Sequence, residues 1–492
     1  MTMKSHTAPH VDLKAAAKQV MQENGFAPDF PAQVQTELAA ITAQSAPAVA
    51  SAEVRDLRDL LWSSIDNDTS RDLDQVEVAQ FMPDGSTKVM VGVADVDSLV
   101  PRGSAIDAHA KRETTTVYTG VSIFPMLPEQ LSTDATSLNE NEDRYSMVVE
   151  FVVSQDGHIS ACDVYRALVR NKAQLAYNAV GAWLEDRGPM PAKVAASADL
   201  QEQLKMQDAA AHALRSERYR HGALNIETIE MHPVIQDEKI VDLERQGKNR
   251  ATELIEDFMI AANEVVARML EEKKVSSIRR VVKTPKRWDR IVALAAELGE
   301  KLPAVAESLA LNQFLTKRKS VDQDHFADLS LAVIKLMGPG EYVLERPGED
   351  PVGHFGLAVQ DYTHSTAPNR RFADLVTQRL IKSVQTKSAA PYSDGDLAAI
   401  ASNCTLKEDA ARKVERAMTK RIAAVAMSSR IGEVFDGIIT GVTPNGTFVR
   451  VVKPHVEGLL AHGQEGLDVG DKLRVKLVRT DVHRGYIDFA KV

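Results

Sequence analysis

The C-terminal segment constrains the fold more than any other part of the chain. From Ile431 on, "GEVFDGIITGV", "GTFVRVV", "EGLLA", "GDKLRVKLVRTD" and "GYIDFAKV" are short apolar runs separated by Gly, Pro and Asn turns. Apolar residues alternating with polar ones mark strands with one buried face, and five such strands in about sixty residues have few ways to cover it. A small Greek-key barrel of the OB type suits this strand count and length, so residues 431–492 are expected to form a five-stranded OB barrel.

The other end reads differently. "DLKAAAKQVMQENG" after Asp12 and "FPAQVQTELAAITAQ" after Asp29 carry apolar residues at helical spacing, and the Ala/Ser/Pro stretch "AQSAPAVASAEV" reads as a linker. Residues 1–52 are therefore expected to be helical, either a helix-turn-helix or winged-helix module or a helical cap on the next domain. Between these ends, residues 53–430 mix strand-like runs ("TKVMVGVADV", "YSMVVEFVVSQDGHI") with helices over Ala251 to Glu272, Phe372 to Val384 and Asp394 to Ser429. The fold class is α+β, with no internal repeat.

Two cysteines, Cys162 and Cys404, lie far apart without CxxC or Cys/His pairing, which indicates neither a zinc site nor a disulfide framework and fits a reducing, cytoplasmic setting. No segment approaches the ~18 uninterrupted apolar residues of a membrane span. The net charge of −10 argues against a protein that coats nucleic acid with its whole surface, although two basic patches exist. One, Lys273 to Arg290, has eight Lys or Arg against the single Asp289; the other is "RKVERAMTKR", Arg412 to Arg421. Either is ordinarily a solvated helix face.

The stretch "IDNDTSRDLDQ" crowds Asp66, Asp68, Asp72 and Asp74 before Gln75. Hard divalent cations choose carboxylate oxygens, and clustered aspartates can hold ions for phosphodiester hydrolysis. Alone, such a stretch is more often a polar turn whose side chains cap backbone. If Arg71 to Val78 is a strand, Asp72 and Asp74 share one face, and Gln75 and Glu77 the other.

Further motifs follow in one order: "VGVADVDSLVPRGSAIDAHAKRETTTVY", "FPMLPEQLSTDATSLNENEDRYSMV", "LIEDFMIAAN" and "GHFGLAVQDYTHSTAPNRRFADL", then the terminal "GEVFDGIITGV". Together they resemble the ribonuclease II family, the RNB exoribonucleases, from about Val54 to the C-terminus. The resemblance implies an RNB catalytic domain flanked by OB barrels, the last of the ribosomal protein S-one type. It implies processive, Mg²⁺-dependent 3′-to-5′ hydrolysis of single-stranded RNA to nucleoside 5′-monophosphates, with Mn²⁺ as a substitute cation and no membrane partner. The family channel is built within one chain, so a monomer is expected.

By the same resemblance, the family's metal-binding acids fall on Asp66, Asp72, Asp74 and Gln75; the first three match, and the Gln amide brings no charge. Glu77 is a stand-in if the strand is regular. Tyr118 in "TTTVYTG" matches the aromatic that stacks on the terminal base, Tyr177 a tyrosine near the scissile bond, and Glu256 the acid that reads the terminal sugar. In "THSTAPNRRFADL", Arg370 matches the arginine at the reacting phosphate, and Arg371 either touches RNA or pairs with Asp374. Ala367, Asn369 and Phe372 depart from the family's Ser, Ile and Tyr. In the barrel, Phe435, Phe448 and His462 are expected to bind RNA, with Arg450, Lys472 and Arg474 for phosphates. The rival expectation is an RNA-binding protein that keeps the fold with weakened or lost catalysis, motivated by Gln75. The family's pair of cold-shock barrels has no room in the first fifty or so residues.

Overall fold

The computed structural model describes residues 12–42, 54–227, 230–236, 239–323 and 325–492. Residues 1–11 and 43–53, the start of the chain and all of the expected linker but Val54, lie outside the described residues. Helix α1 (Leu13–Glu23) is capped by the Asp12 carboxylate, which accepts from the Ala15 amide, and α2 (Ala32–Thr42) follows. The two pack on different partners. Ala17, Val20 and Met21 of α1 join an apolar cluster with Ala411, Val414 and Met418 far along the chain, whereas Val34 and Leu38 of α2 enter the main core.

Nine strands come next: β1 (Arg55–Asp56), β2 (Ser63–Asp66), β3 (Gln75–Phe81), β4 (Thr87–Ala94), β5 (Val117–Tyr118), β6 (Ile123–Phe124), β7 (Asp143–Val153), β8 (Ile159–Arg170) and β9 (Ala173–Ala176). All but the β5–β6 pair form one mixed sheet in the order β1-β8-β7-β4-β3-β2-β9. Strand β4 is central, and its near-continuous run "VMVGVA" is buried on both faces, as a covered sheet demands. Helix α3 (Ala105–Glu113) lies between β4 and β5. Helices α4 (Tyr177–Leu184), α5 (Ala192–Ala195) and α6 (Ala198–Arg220) follow, then the hairpin β10 (Glu230–Gln236) and β11 (Lys239–Gln246), and α7 (Arg250–Glu272). Helix α7 starts in a capping box at Asn249 and buries Leu254, Phe258, Ala261 and Val265 at helical spacing; Phe258 meets Phe151 of the sheet edge-on at 6.5 Å.

Strands β12 (Ser277–Val281) and β13 (Glu341–Glu345) pair across a helical insertion, α8 (Trp288–Glu297), α9 (Ser308–Val321) and α10 (Phe326–Met337), which has its own core around Trp288, Leu311 and Phe326. Helix α11 (Phe372–Gln385) is buried along most of its length. Helix α12 (Asp394–Ser428) has 35 residues, about 50 Å at 1.5 Å per residue. It carries α1 on its middle and, through Ile422, Ala424 and Met427, the core of the last unit. That unit is a closed barrel of β14 (Val434–Thr443), β15 (Gly446–Val451), β16 (Val456–His462), β17 (Lys472–Asp481) and β18 (Tyr486–Lys491), in the order β14-β15-β16-β18-β17. The five strands read from the sequence are all present, and closure leaves no free edge.

Candidate active site

The acidic stretch differs from its expected form in one respect. Residues 71–74 precede the strand, which begins at Gln75. Their course is fixed by hydrogen bonds to the 137–138 turn and to the end of β4. The Leu73 amide donates to Ser137 Oγ at 2.9 Å, the Leu138 amide to the Leu73 carbonyl at 3.0 Å, and the Ala94 amide to the Asp74 carbonyl at 2.9 Å. Leu73 is buried at 1% exposure, so the side chains on either side of it, Asp72 and Asp74, point the other way. Asp66 ends β2, and its register partner in the parallel neighbour β9 is Ala176. Tyr177, the next residue, opens α4 beside it.

The second half of the site comes from nearly three hundred residues away. Arg370 Nε donates to Asp74 Oδ2 at 3.1 Å, and the Asn369 amide donates to Asp74 Oδ1 at 3.1 Å. The Arg370 side chain is 43% exposed while Asp74 is buried, so the guanidinium is anchored at its base and open at its tip. Two backbone bonds bring in Tyr118: the Thr116 amide donates to the Arg370 carbonyl at 3.0 Å, and the Phe372 amide to the Thr114 carbonyl at 2.8 Å. Tyr118 is 40% exposed, and its hydroxyl donates to Asp72 Oδ2 at 3.2 Å. Thr114 makes this crossing in the left-handed region at φ 61°, a conformation costly for a β-branched residue and of a kind concentrated at functional sites.

Burial dominates the electrostatics. It pushes Asp66 up to about 7, with the Asp74 and Asp72 charges adding and Arg370 opposing. Burial likewise pushes Asp74 up to about 6 against the pull of Arg370. Glu77, 1% exposed in β3, is driven well above the usual carboxylate range by burial and then by Asp66. The Tyr177 hydroxyl is raised by burial and by both acids. Asp66, Asp72, Asp74, Glu77, Tyr118, Tyr177 and Arg370 thus form one electrostatic cluster.

Among the described residues, no three His, Cys, Asp or Glu side chains are already gathered around a point that would hold a metal ion. Asp72 and Asp74 are engaged by Tyr118 and Arg370 instead. Mg²⁺ does not need such a cage, because it keeps several waters and takes one or two carboxylates plus substrate phosphate. The donor set fits it: buried Asp66 Oδ2 and Glu77 Oε1 have no hydrogen-bond partner, and both are hard oxygens.

Several expected contacts fall elsewhere. Arg371 is bidentate with buried Asp374, at 2.9 Å and 2.7 Å, the structural pairing that was one of its two expected roles; Asp374 also accepts from the Ala367 amide and so fixes the loop. Glu256 faces outward from α7 and accepts from Lys248 at 2.5 Å, a partner outside the cluster. Phe435 is a core residue, 6% exposed and edge-on to Phe489 at 6.3 Å, because its strand position points into the barrel. Phe448 is half-buried on the outer side of β15, and His462 is exposed at the end of β16. Arg450 is held by Asp328 of α10, which ties the barrel to the helical insertion rather than leaving it for phosphate. In the first basic patch, Arg279 and Arg280 are buried against Glu345 and Glu408, whereas Lys286, Arg287 and Arg290 stay exposed. Sequence reasoning gave no role to Ser137, whose hydroxyl pins the Leu73 amide, nor any reason to see Asn369 as a holder of Asp74, since it acts through its backbone amide.

Comparison with known proteins gives the family. The RNB domain matches residues 54–387, and the RNase II-type exonuclease C-terminal S1 domain matches residues 433–492. Ribonuclease R of Thermotoga maritima is 29% identical over 98% of this chain and 71% of its own length. Ribonuclease R of Escherichia coli is 29% identical over 88% of this chain, which spans 54% of the length of that relative. Mycoplasma genitalium RNase R, solved in complex with ribose methylated single-stranded RNA, superposes with a TM-score of 0.87 at 24% identity, covering 98% of this chain and 78% of that one. Yeast Ssd1, a pseudonuclease, shares the fold with a TM-score of 0.71 at 17% identity, over 96% of this chain and 58% of its own. With the RNB match spanning most of the chain and the S1 match completing it, the chain belongs to the RNB family of ribonucleases.

Proposed function

We propose that this chain hydrolyses single-stranded RNA processively from the 3′ end in a divalent-cation-dependent reaction, releasing nucleoside 5′-monophosphates. The observation that carries the reading is the convergence of Asp66, Asp72 and Asp74 with Arg370, Tyr118 and Tyr177, drawn from separate segments into one cluster. Acids for a cation, a guanidinium for phosphate oxygens and aromatic rings for bases are the groups that such a hydrolysis uses.

Each side chain has a part. Arg370, steadied by Asp74, presents its free N–H groups to two phosphate oxygens and stabilises charge that builds there during cleavage. Tyr118 offers an exposed ring to the terminal base, a contact indifferent to base identity. Tyr177 stands beside Asp66 near the bond to be broken. Asp66, Asp72 and Asp74 would hold Mg²⁺, or Mn²⁺ in its place, which when bound supplies charge neutralisation and a more acidic water. Gln75 would contribute a neutral carbonyl oxygen at most. Phe448 and His462, on the outer side of the barrel, are the groups left to bind the incoming strand.

Hydrolysis breaks the P–O3′ bond and leaves the oxygen of water on the departing 5′-phosphate. Digestion of an RNA oligomer in ¹⁸O-labelled water with Mg²⁺ checks this by mass spectrometry of the products. The expected result is nucleoside 5′-monophosphates carrying one ¹⁸O; cyclic phosphates or 3′-monophosphates would contradict it. A second reading, an RNA-binding protein with weakened or lost catalysis, is favoured by Gln75 alone. Intact RNA recovered from the same incubation would support that reading.

A further inference from the structure

Position 75 carries an amide where the family pattern places an acid, and the structure contains a carboxylate two residues away without a structural explanation. Glu77 sits in β3, paired with Ser63 of β2 on one side and Val91 of β4 on the other. Its chain neighbours Val76 and Val78 are buried apolar residues. An aliphatic side chain is the ordinary occupant of such a place, since an unpaired buried carboxylate is heavily penalised. Glu77 is 1% exposed, and among the described residues its Oε1 has no hydrogen-bond partner and no arginine, lysine or histidine bears on it; the charged group it faces is Asp66.

The strand geometry gives the acid somewhere to act. Ser63↔Glu77 is the one registered pair between β2 and β3, so beyond it the strands part, with Asp66 on one lip and Gln75 and Asp74 on the other. Glu77 lies at the root of this opening. Asp66 Oδ2 is also buried and unpartnered. Gln75 and Glu77 share a side of β3, roughly 7 Å apart along the strand, and a glutamate reaches one methylene further than an aspartate. Two uncompensated hard oxygens from neighbouring strands suit a small divalent cation that completes its shell with water and phosphate.

We infer that Glu77 is a cation ligand of this site and supplies, from two residues further along the strand, the negative charge that Gln75 lacks. The inference rests on the proposed nuclease function, and it places the cation toward Asp66 and Tyr177, away from Arg370.

The test is Mn²⁺ titration of the full chain without RNA, followed by the electron paramagnetic resonance of free Mn²⁺, for the parent, Glu77→Gln, Gln75→Asp and the double variant. Glu77→Gln is expected to weaken Mn²⁺ binding by about tenfold or more, the scale of a lost group at a metal site, and Gln75→Asp in that background to restore it. Melting in EDTA checks the fold, and Glu77→Gln should melt no lower than the parent because a buried unpaired acid has been removed. Should it not fold, Glu77→Asp keeps the charge and shortens the reach, with the same weakening expected. Unchanged affinity in a folded Glu77 variant overturns the inference and leaves the nuclease reading standing. A parent that binds no Mn²⁺ overturns both.

Discussion

Asp74 does two jobs at the residue scale: it anchors the Arg370 guanidinium and accepts the Asn369 amide, so that one buried carboxylate sets the loop and its arginine together. Lysine cannot reproduce the planar fork that Arg370 presents. Arg370→Lys is therefore expected to lower kcat on the order of 100-fold, the loss typical of one transition-state donor, with a smaller change in KM. Steady-state kinetics on a single-stranded RNA check this. Tyr118 separates ring from hydroxyl: Tyr118→Ala should weaken RNA binding by about 1–3 kcal/mol, whereas Tyr118→Phe keeps the ring and loses only the bond to Asp72. The gathering of Asp66, Asp72, Asp74, Arg370 and Tyr118 was legible through the family resemblance, because their polar and aromatic side chains mark the motifs that carry it. Asn369 and Ser137 were not, because a backbone amide or a hydroxyl that pins a loop leaves no residue-type signature.

At the scale of elements, alternation along a strand decides between core and surface. Phe435 and Phe448 both stand in apolar strands of the barrel, and both were expected to bind RNA. The structure turns Phe435 inward against Phe489 and Phe448 outward. Phe435→Ala should thus cost about 3–5 kcal/mol of barrel stability, seen by thermal melting, whereas Phe448→Ala should leave melting nearly unchanged and weaken RNA binding. The strands of the barrel and helices α7, α11 and α12 were legible because their apolar periods are clean. The start of β3 was not: residues 71–74 are extended like a strand, but their hydrogen bonds run to Ser137, Leu138 and Ala94, which no period in the sequence reveals.

The whole molecule is organised by α12, which links the mixed sheet region, helix α1 and the barrel, while Arg450–Asp328 ties the barrel back to the helical insertion. Burial at that scale also sets pH behaviour. The His354 imidazole, whose Nδ1 accepts the Leu357 amide, is lowered to about 4 by burial and then by Arg280. The unfolded chain takes up that proton first, so stability contributed by neutral His354 is present above the ordinary histidine range and is lost as pH falls from about 6.5 toward 4. Between pH 7 and pH 5 the melting temperature of the parent should fall relative to that of His354→Gln, a difference that separates this imidazole from Asp66 and Asp74, whose raised values act in the opposite direction. The most direct check on the catalytic reading is the cleavage of 5′-end-labelled single-stranded RNA with Mg²⁺ by the parent chain and by Asp74→Asn. A ladder that shortens to a small end product with the parent and not with the variant is the predicted result. Binding without shortening by both would contradict it.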